Sequence, residues 1–366
     1  MKAAVLHQVG APLEICNVTI KKPGPHEVLV RTAAVGLCHS DLHIMDGSIA
    51  MPLPVVLGHE VAGVVEAVGP EVRDLTPGDH VVGCLAVFCG HCTQCLSGRQ
   101  NLCEDVETKQ PPGRARRLSI GETHVGQAWN LSAFAEQMLV HENALVKIAT
   151  DMPLDRAALL SCAVITGTGA VFRTAAVPPG STVAVLGCGG VGLCTINGAA
   201  IVGASRIIAI DTNPRKLEFA KQFGATDCID ASKCDPVEAI MDLTSGGVQF
   251  SFECVGLPVT TAQAFRMLAI GGVATVMGLF KDGTEVPLLA GEFRKEKKIQ
   301  GSVMGSNKLP LDIKRLIDLY LQGKLELDKL ISNRIHLEGI NEGFDAMVGG
   351  AVARSIITFD DVLSGA

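Results

Sequence analysis

Four cysteines fall within fifteen residues: Cys89, Cys92, Cys95 and Cys103, spaced C-x2-C-x2-C-x7-C. Loops this short let four thiolates converge on one ion. Four soft anionic sulfurs in a tetrahedron describe a closed structural Zn2+ site, with no open position for chemistry. Two other chemistries use the same residues. Disulfides are disfavoured by the lack of a secretory pattern at the start of the sequence. An iron–sulfur cluster shares the opening spacing, but no Cys-Pro follows Cys103 and nothing else points to electron transfer.

A second, open metal site has its donors on separate segments. Gly58-His59-Glu60 follows the extended stretch Met51–Leu57, Cys38 lies about twenty residues earlier, and Cys162 about a hundred later. One histidine and two cysteines give a three-donor zinc site whose vacancy takes water or substrate, the catalytic pattern. A lone histidine in an apolar segment also fits a hydrogen-bonded core residue, and spacing by itself leaves both readings open.

The third element is Ser181-Thr-Val-Ala-Val-Leu-Gly187-Cys-Gly189-Gly190-Val191-Gly192. A β-branched run enters G-x-G-x-x-G, a small-residue helix pattern covers 193–202, and a second strand pattern ends in Asp211. Strand, glycine loop, helix, strand and terminal acid form a dinucleotide-binding fingerprint. Gly187 permits the tight turn, Gly189 lets backbone approach a pyrophosphate at a helix N-terminus, and Gly192 permits close helix–strand packing. Asp211 would accept hydrogen bonds from the adenosine ribose, and its charge would repel a 2′-phosphate, favouring NAD over NADP. An ordinary βαβ turn is the plainer alternative.

The elements that must position these residues follow from texture. Up to about residue 163, short apolar runs are broken by turns such as Lys22-Pro-Gly-Pro25 and Thr76-Pro-Gly-Asp79, which reads as an irregular β-rich domain. From 164 to 304, strands at 182–186, 206–210, 227–229, 249–254, 273–277 and 299–303 alternate with helices at 214–223, 236–243 and 259–269. That alternation implies an α/β fold with a doubly wound parallel sheet. The segment 305–366 adds helices at 310–322 and 340–348 and a strand at Ser355–Phe359.

Taken together and in this order, these motifs resemble the zinc-dependent medium-chain alcohol dehydrogenases. The resemblance runs nearly the whole chain, through Met1-Lys-Ala-Ala-Val, Gly36-Leu-Cys38-His-Ser-Asp41, Pro52–Gly63, the four-cysteine lobe, the glycine loop, Phe252-Glu-Cys-Val-Gly256 and Ile340-Asn-Glu-Gly-Phe344. It implies a GroES-like catalytic domain with a structural-zinc lobe over 1–163, an NAD-binding Rossmann domain over 164–304, and a return to the catalytic domain over 305–366.

The resemblance also assigns roles. Cys38, His59 and Cys162 would hold a catalytic zinc, and Cys89, Cys92, Cys95 and Cys103 a structural one, two per chain. Ser40 would take the alcohol proton and His43 deliver it to solvent. Asp41 would orient His59, and Glu60 would sit behind the metal and ligate it transiently. Thr166 and Val191 would press on the nicotinamide, Lys216 would meet the adenosine ribose, and Arg354 the pyrophosphate. His39 stands where some members carry an arginine against the pyrophosphate, and a partly charged imidazole should grip it less. Ile49, Leu85, Trp129 and Leu279 would line the substrate cleft, Trp129 being equally readable as a core residue. The segment Ile49–Leu57 has no acid, whereas glutathione-dependent formaldehyde dehydrogenases carry one there, which argues against that activity.

The expected activity is reversible oxidation of a primary aromatic or medium-chain aliphatic alcohol with hydride transfer to NAD. Two other classes stay open: an alcohol:acceptor oxidoreductase with tightly bound nicotinamide cofactor, and a non-enzymatic protein that keeps the fold.

Composition fits. The 366 residues, 48% hydrophobic and 19% charged, suffice for two full cores, and a net charge of −7 argues against nucleic-acid binding. No apolar stretch reads as a membrane span. Thirteen cysteines without a leader pattern are expected in a reducing cytoplasm. Cys16, Cys84, Cys188, Cys194, Cys228, Cys234 and Cys254 read as small buried hydrophobes, with Cys188, inside the glycine loop, open to oxidation. The basic run Arg114-Ala-Arg116-Arg117 reads as a solvated loop or an anion contact. A small-molecule alcohol or aldehyde is the expected partner, with a homodimer, or a tetramer, as the expected assembly.

Overall fold

The computed structural model describes residues 1–109, 117–350 and 353–363. Of the basic run, Arg114 and Arg116 lie outside these, while Arg117 pairs with Glu27 at 2.6 Å and donates to Gln127 Oε1 at 3.1 Å.

Contacts divide the chain into two compact units. The first comprises Met1–Cys162, Lys308–Asp318 and Ile331–Ala366. Among the described residues it holds two sheets. One runs in the order Glu14–Asn17, Lys2–Leu6, Val55–Val56, Thr123–Gln127, Leu118–Ile120, Thr19–Ile20. The other runs Leu145–Lys147, His80–Gly83, Glu60–Val68, Glu27–Gly36, Arg354–Thr358, Ile331–Ile335, with Gln137–His141 also paired to Glu27–Gly36. Strand Glu27–Gly36 shows why the sequence reads as β. Val28 and Val30 alternate inward, and the following Thr32–Gly36 stretch is buried on both faces. Inward side chains of this kind, with the Phe134–Phe344 edge contact at 5.9 Å, make the core on which the metal-bearing segments rest.

The second unit comprises Ala163–Asn307 and Leu319–Leu330. Its six strands are all parallel, in the order Asp227–Asp230, Arg206–Asp211, Thr182–Leu186, Val248–Glu253, Leu268–Val276, Lys298–Gly301. This is a doubly wound sheet. Order reverses between Thr182–Leu186 and Val248–Glu253, so the switch point falls at Leu186 and Glu253, where such sheets take ligands. Local chemistry sets the helix starts. Asn213 caps Pro214–Gln222 through Arg215 N, and Asp235 caps Pro236–Thr244 through Val237 N, each with proline in the first turn.

Three boundaries differ from the sequence expectation. The helix expected over 259–269 runs Pro258–Arg266, because Leu268 already pairs with Val248 in the parallel ladder. The segment 305–366 is shared between the units. Its stretch Leu319–Leu330 belongs to the second, where Asn197 donates to Lys324 O and accepts from Glu326 N. Strand Ile331–Ile335 was not foreseen, since Ser332, Asn333 and Arg334 hide its period, yet it pairs with Arg354–Thr358. The helical run Leu154–Thr174 is long and apolar enough to cross a membrane by length and composition, but 83% of its most apolar window is buried inside the protein.

Candidate metal centres and cofactor loop

The four-cysteine lobe is built from turns. Cys92 opens the short helix Thr93–Leu96, Cys95 sits inside it, and Cys103 ends the turn Gln100–Leu102. The Sγ atoms of Cys89 and Cys95 stand 3.9 Å apart, as do those of Cys92 and Cys103, and all four lie within 4.8 Å of one another. Zinc–sulfur arms of about 2.3 Å give a tetrahedron with edges of about 3.8 Å. The sulfurs therefore fit one ion. They stand too far apart for disulfides, whose S–S bond is about 2.05 Å, and too close together to enclose a multi-iron cluster. Backbone N–H groups of His91 and Cys92 point at Cys89 Sγ, and that of Cys89 at Cys103 Sγ. Backbone N–H donors from Cys95 and Glu104 lower the Cys92 thiol to about 6, while burial raises Cys95 to about 12.

The second centre is fully buried. Cys38, His59, Glu60 and Cys162 bring four donor atoms within 4.8 Å. Asp41 Oδ1 accepts from His59 Nδ1 and from Gly58 N, each at 3.1 Å. A carboxylate can only accept, so Nδ1 carries a proton; against burial, the Asp41 and Cys38 charges raise the imidazole well above its ordinary range, and a metal bound at Nε2 would take the place of the second proton. Nε2 is buried and has no hydrogen-bond partner among the described residues. A histidine satisfied in a core would not leave that atom bare, and a metal among Cys38, His59 and Cys162 fits it. A hydrogen bond from Cys162, opposed by burial and helped by Arg354 and His59, holds the Cys38 thiol well below its ordinary range, and Cys162 rises in turn. Burial pushes the Glu60 carboxyl up to about 7, against the pull of Arg354, whose Nη2 lies 3.1 Å from Oε1.

The helix His39–Met45 places the expected relay residues. Ser40 Oγ lies 3.6 Å from Cys38 Sγ. His43 is partly exposed, its Nδ1 3.8 Å from Asp46 Oδ2. His39 is exposed at the helix start. Arg354, expected at a pyrophosphate, is 3% exposed, donates to Leu37 O and faces Cys38 Sγ as well as Glu60. Ile49, Leu85 and Trp129 pack as half-buried residues on the first unit's core, Trp129 with its ring 5.7 Å from that of His59. Leu279 is exposed in the second unit.

In the glycine loop, Gly187 has φ +90°, and a Cβ on Gly192 would lie 1.8 Å from Gly187 O. Only glycine permits that turn and that approach. A Cβ on Gly189 would meet nothing within 4 Å, which leaves room over the loop for a phosphate. Helix Gly190–Ile201 starts there, with Gly190 buried and Val191 half-buried. Asp211 accepts from Cys188 N at 2.8 Å and Asn213 N at 2.9 Å, so it ties the loop to the strand end while keeping lone pairs for a ligand. Lys216 is half-buried near the start of the next helix, and Thr166 is buried with Oγ1 3.6 Å from Met304 Sδ.

Three contributors escaped sequence reasoning. Ser161 Oγ accepts from Val61 N at 3.0 Å and donates to Ala158 O, pinning the strand after His59 to the π-helical turn Leu160–Val164 that carries Cys162. Glu253 Oε1 accepts from Val255 N, Gly256 N and Thr260 Oγ1 at the sheet's switch point. Asn130 and Ser132, both at φ +62°, follow the expected Trp129 at φ +55°, so backbone strain is concentrated beside His59. Only the glutamate offered a signal, as an acid ending an apolar strand. Ser161→Ala should lower unfolding free energy by about 1–3 kcal/mol, because Val61 N becomes a buried donor without a partner. Urea unfolding checks this, and faster zinc loss to a chelator should accompany it.

Residues 24–150 match the alcohol dehydrogenase GroES-like domain, and 190–322 the zinc-binding dehydrogenase domain. Alcohol dehydrogenase class-3 of Myxine glutinosa is 37% identical over 365 residues, 97% of each chain. The structure of benzyl alcohol dehydrogenase from Acinetobacter calcoaceticus superposes with TM-score 0.93 at 36% identity, covering 98% of this chain and 99% of that one. A chain described as a zinc-binding dehydrogenase of Sinorhizobium meliloti 1021, solved bound to NADP, gives TM-score 0.81 at 31% identity over 98% and 99%. This chain belongs to the zinc-dependent medium-chain alcohol dehydrogenase family and is an oxidoreductase.

Proposed function

We propose that this enzyme reversibly oxidises primary alcohols, aromatic or medium-chain aliphatic, to aldehydes, with NAD as hydride acceptor and two zinc ions per chain. The observation that carries the reading is the buried set Cys38, His59 and Cys162, with Asp41 fixing the histidine so that a bare Nε2 faces the two sulfurs. When bound there, zinc supplies Lewis acidity toward an alcohol oxygen, and NAD supplies the hydride acceptor. Asp41 keeps the imidazole in the ligating tautomer. Arg354 and Glu60 balance charge behind the sulfurs. Apolar Ile49, Leu85 and Trp129 favour an apolar substrate, which the benzyl alcohol dehydrogenase relative supports.

Ser40 Oγ takes the hydroxyl proton as it gives up its own O–H proton toward His43, and His43, partly exposed one turn on, releases one proton to water. Ser40→Ala should lower kcat by about 10²–10⁴-fold, the usual worth of a general-base step, and His43→Gln by only about 10-fold, since water replaces a terminal carrier. Steady-state turnover of both variants tests the order. Equal, negligible losses would remove the relay.

The Asp211 carboxylate selects NAD by repelling a 2′-phosphate, and the NADP-bound relative makes the choice worth measuring. Asp211 also anchors Cys188 N, so Asp211→Asn is the informative variant. It keeps an acceptor for the loop and removes the charge. The NADP/NAD ratio of kcat/KM should rise about 10-fold, one pair of like charges near a surface being worth on the order of 1 kcal/mol or more. A parent enzyme that already prefers NADP would reject the assignment. The overall test is an NAD-reduction screen over ethanol, hexanol, benzyl alcohol, cinnamyl alcohol, geraniol and hydroxymethylglutathione, with benzyl and cinnamyl alcohol expected to lead.

A further inference from the structure

Cys16 is not the buried filler its apolar neighbours imply. It is half-buried on the outer strand Glu14–Asn17, two residues from Glu14 and so on the same face. That strand pairs antiparallel with Lys2–Leu6, setting Val5 opposite Glu14 and Ala3 opposite Cys16, and His7 follows directly. His7 Nε2 lies 3.6 Å from Cys16 Sγ and 3.9 Å from Glu14 Oε2. All three donor atoms fall within 4.8 Å of one another.

We propose that His7, Glu14 and Cys16 form a third metal site, open to solvent, for a borderline divalent cation such as Zn2+. Zinc arms of about 2.0–2.3 Å place tetrahedral donors about 3.3–3.8 Å apart, so the two distances from His7 need only tenths of an ångström of adjustment, and the exposed Glu14 carboxylate can rotate to close the third. Imidazole, thiolate and carboxylate match zinc and its transition-metal neighbours and exclude Ca2+ and Mg2+, which take oxygen. Thiolate and carboxylate together neutralise a dication, and water completes the tetrahedron on the exposed side. The pair of strands fixes two of the donors in register. This distinguishes the group from a chance meeting of long surface side chains.

The other chemistry open to a thiol beside an imidazole is a reactive thiolate–imidazolium pair. Burial, then the Glu14 charge, raises the Cys16 thiol above its ordinary range, so the sulfur keeps its proton at neutral pH. An entering cation breaks the S–H bond, forms the S–metal bond and sends one proton to solvent. Ion binding here must therefore strengthen as pH rises. Since the side chains of His7 and Glu14 are 39% and 66% exposed, the ion should exchange readily, unlike one enclosed by four cysteines.

The test uses the whole enzyme carrying its resident zinc. Titration with Zn2+ against a chromophoric chelator should show one more ion per chain in the parent than in Cys16→Ser or His7→Gln. Uptake should release one proton more in the parent, and Zn2+ should shield Cys16 from iodoacetamide. His7→Gln leaves the thiol in place and guards against a folding defect in Cys16→Ser. Equal zinc stoichiometry in the parent and His7→Gln, or alkylation of Cys16 at the same rate with and without Zn2+, overturns the site.

Discussion

Cys162→Ser should reduce alcohol oxidation by about 10³-fold or more, because a Lewis acid contributes several kcal/mol to such a step and each 1.36 kcal/mol is tenfold in rate. The change removes one of two sulfurs from a centre whose third donor, His59 Nε2, has no hydrogen-bond partner among the described residues. A serine hydroxyl is a harder, neutral donor and does not replace a thiolate for zinc. Folding should survive. Serine is nearly the size of cysteine, and neighbouring Ser161, not Cys162, carries the hydrogen bonds that pin the π-helical turn. Metal analysis should find one zinc per chain instead of two, with thermal unfolding shifted little. A variant holding two zincs and turning over normally would overturn the assignment of the centre.

Cys95→Ser should do the reverse, damaging stability before chemistry. The lobe around Cys89, Cys92, Cys95 and Cys103 consists of one short helix and turns, so little besides the ion can hold it. Closed zinc sites supply on the order of 10 kcal/mol of binding free energy that is also folding free energy. Part of that is lost locally, and several kcal/mol in a unit the size of the first correspond to a fall in Tm of roughly 5–15 °C for that unit. Calorimetry with zinc analysis reads both quantities. A strong chelator acting on the parent should lower Tm in the same way. Unchanged Tm together with two retained zincs would mean that the four sulfurs do not form a closed site.

Much of this was legible in the chain. Glycine spacing, a β-branched run and a terminal acid describe a backbone path, and a backbone path is a local property. Hence the strands Thr182–Leu186 and Arg206–Asp211 and the loop at Gly187 fall where the sequence put them. Capping residues and proline did the same for Pro214–Gln222 and Pro236–Thr244. The four clustered cysteines needed only short loops to converge, so their spacing foretold their meeting.

Cys38, His59 and Cys162 are different. No local rule brings residues so far apart to one point, and for them the sequence supplied donor types and a family resemblance. Their convergence is decided by packing, with Ser161 tying Val61 to the turn of Cys162 and Asp41 turning the imidazole. Tertiary structure also decided what Arg354 touches, because a buried cation beside the Glu60 carboxylate is held there by the desolvation cost of separating them. It likewise moved Leu319–Leu330 into the second unit through Asn197, and drew His7 to Cys16 across a strand pair. Local backbone preference and donor chemistry are carried by the residues themselves, whereas proximity between distant residues is a property of the packed core.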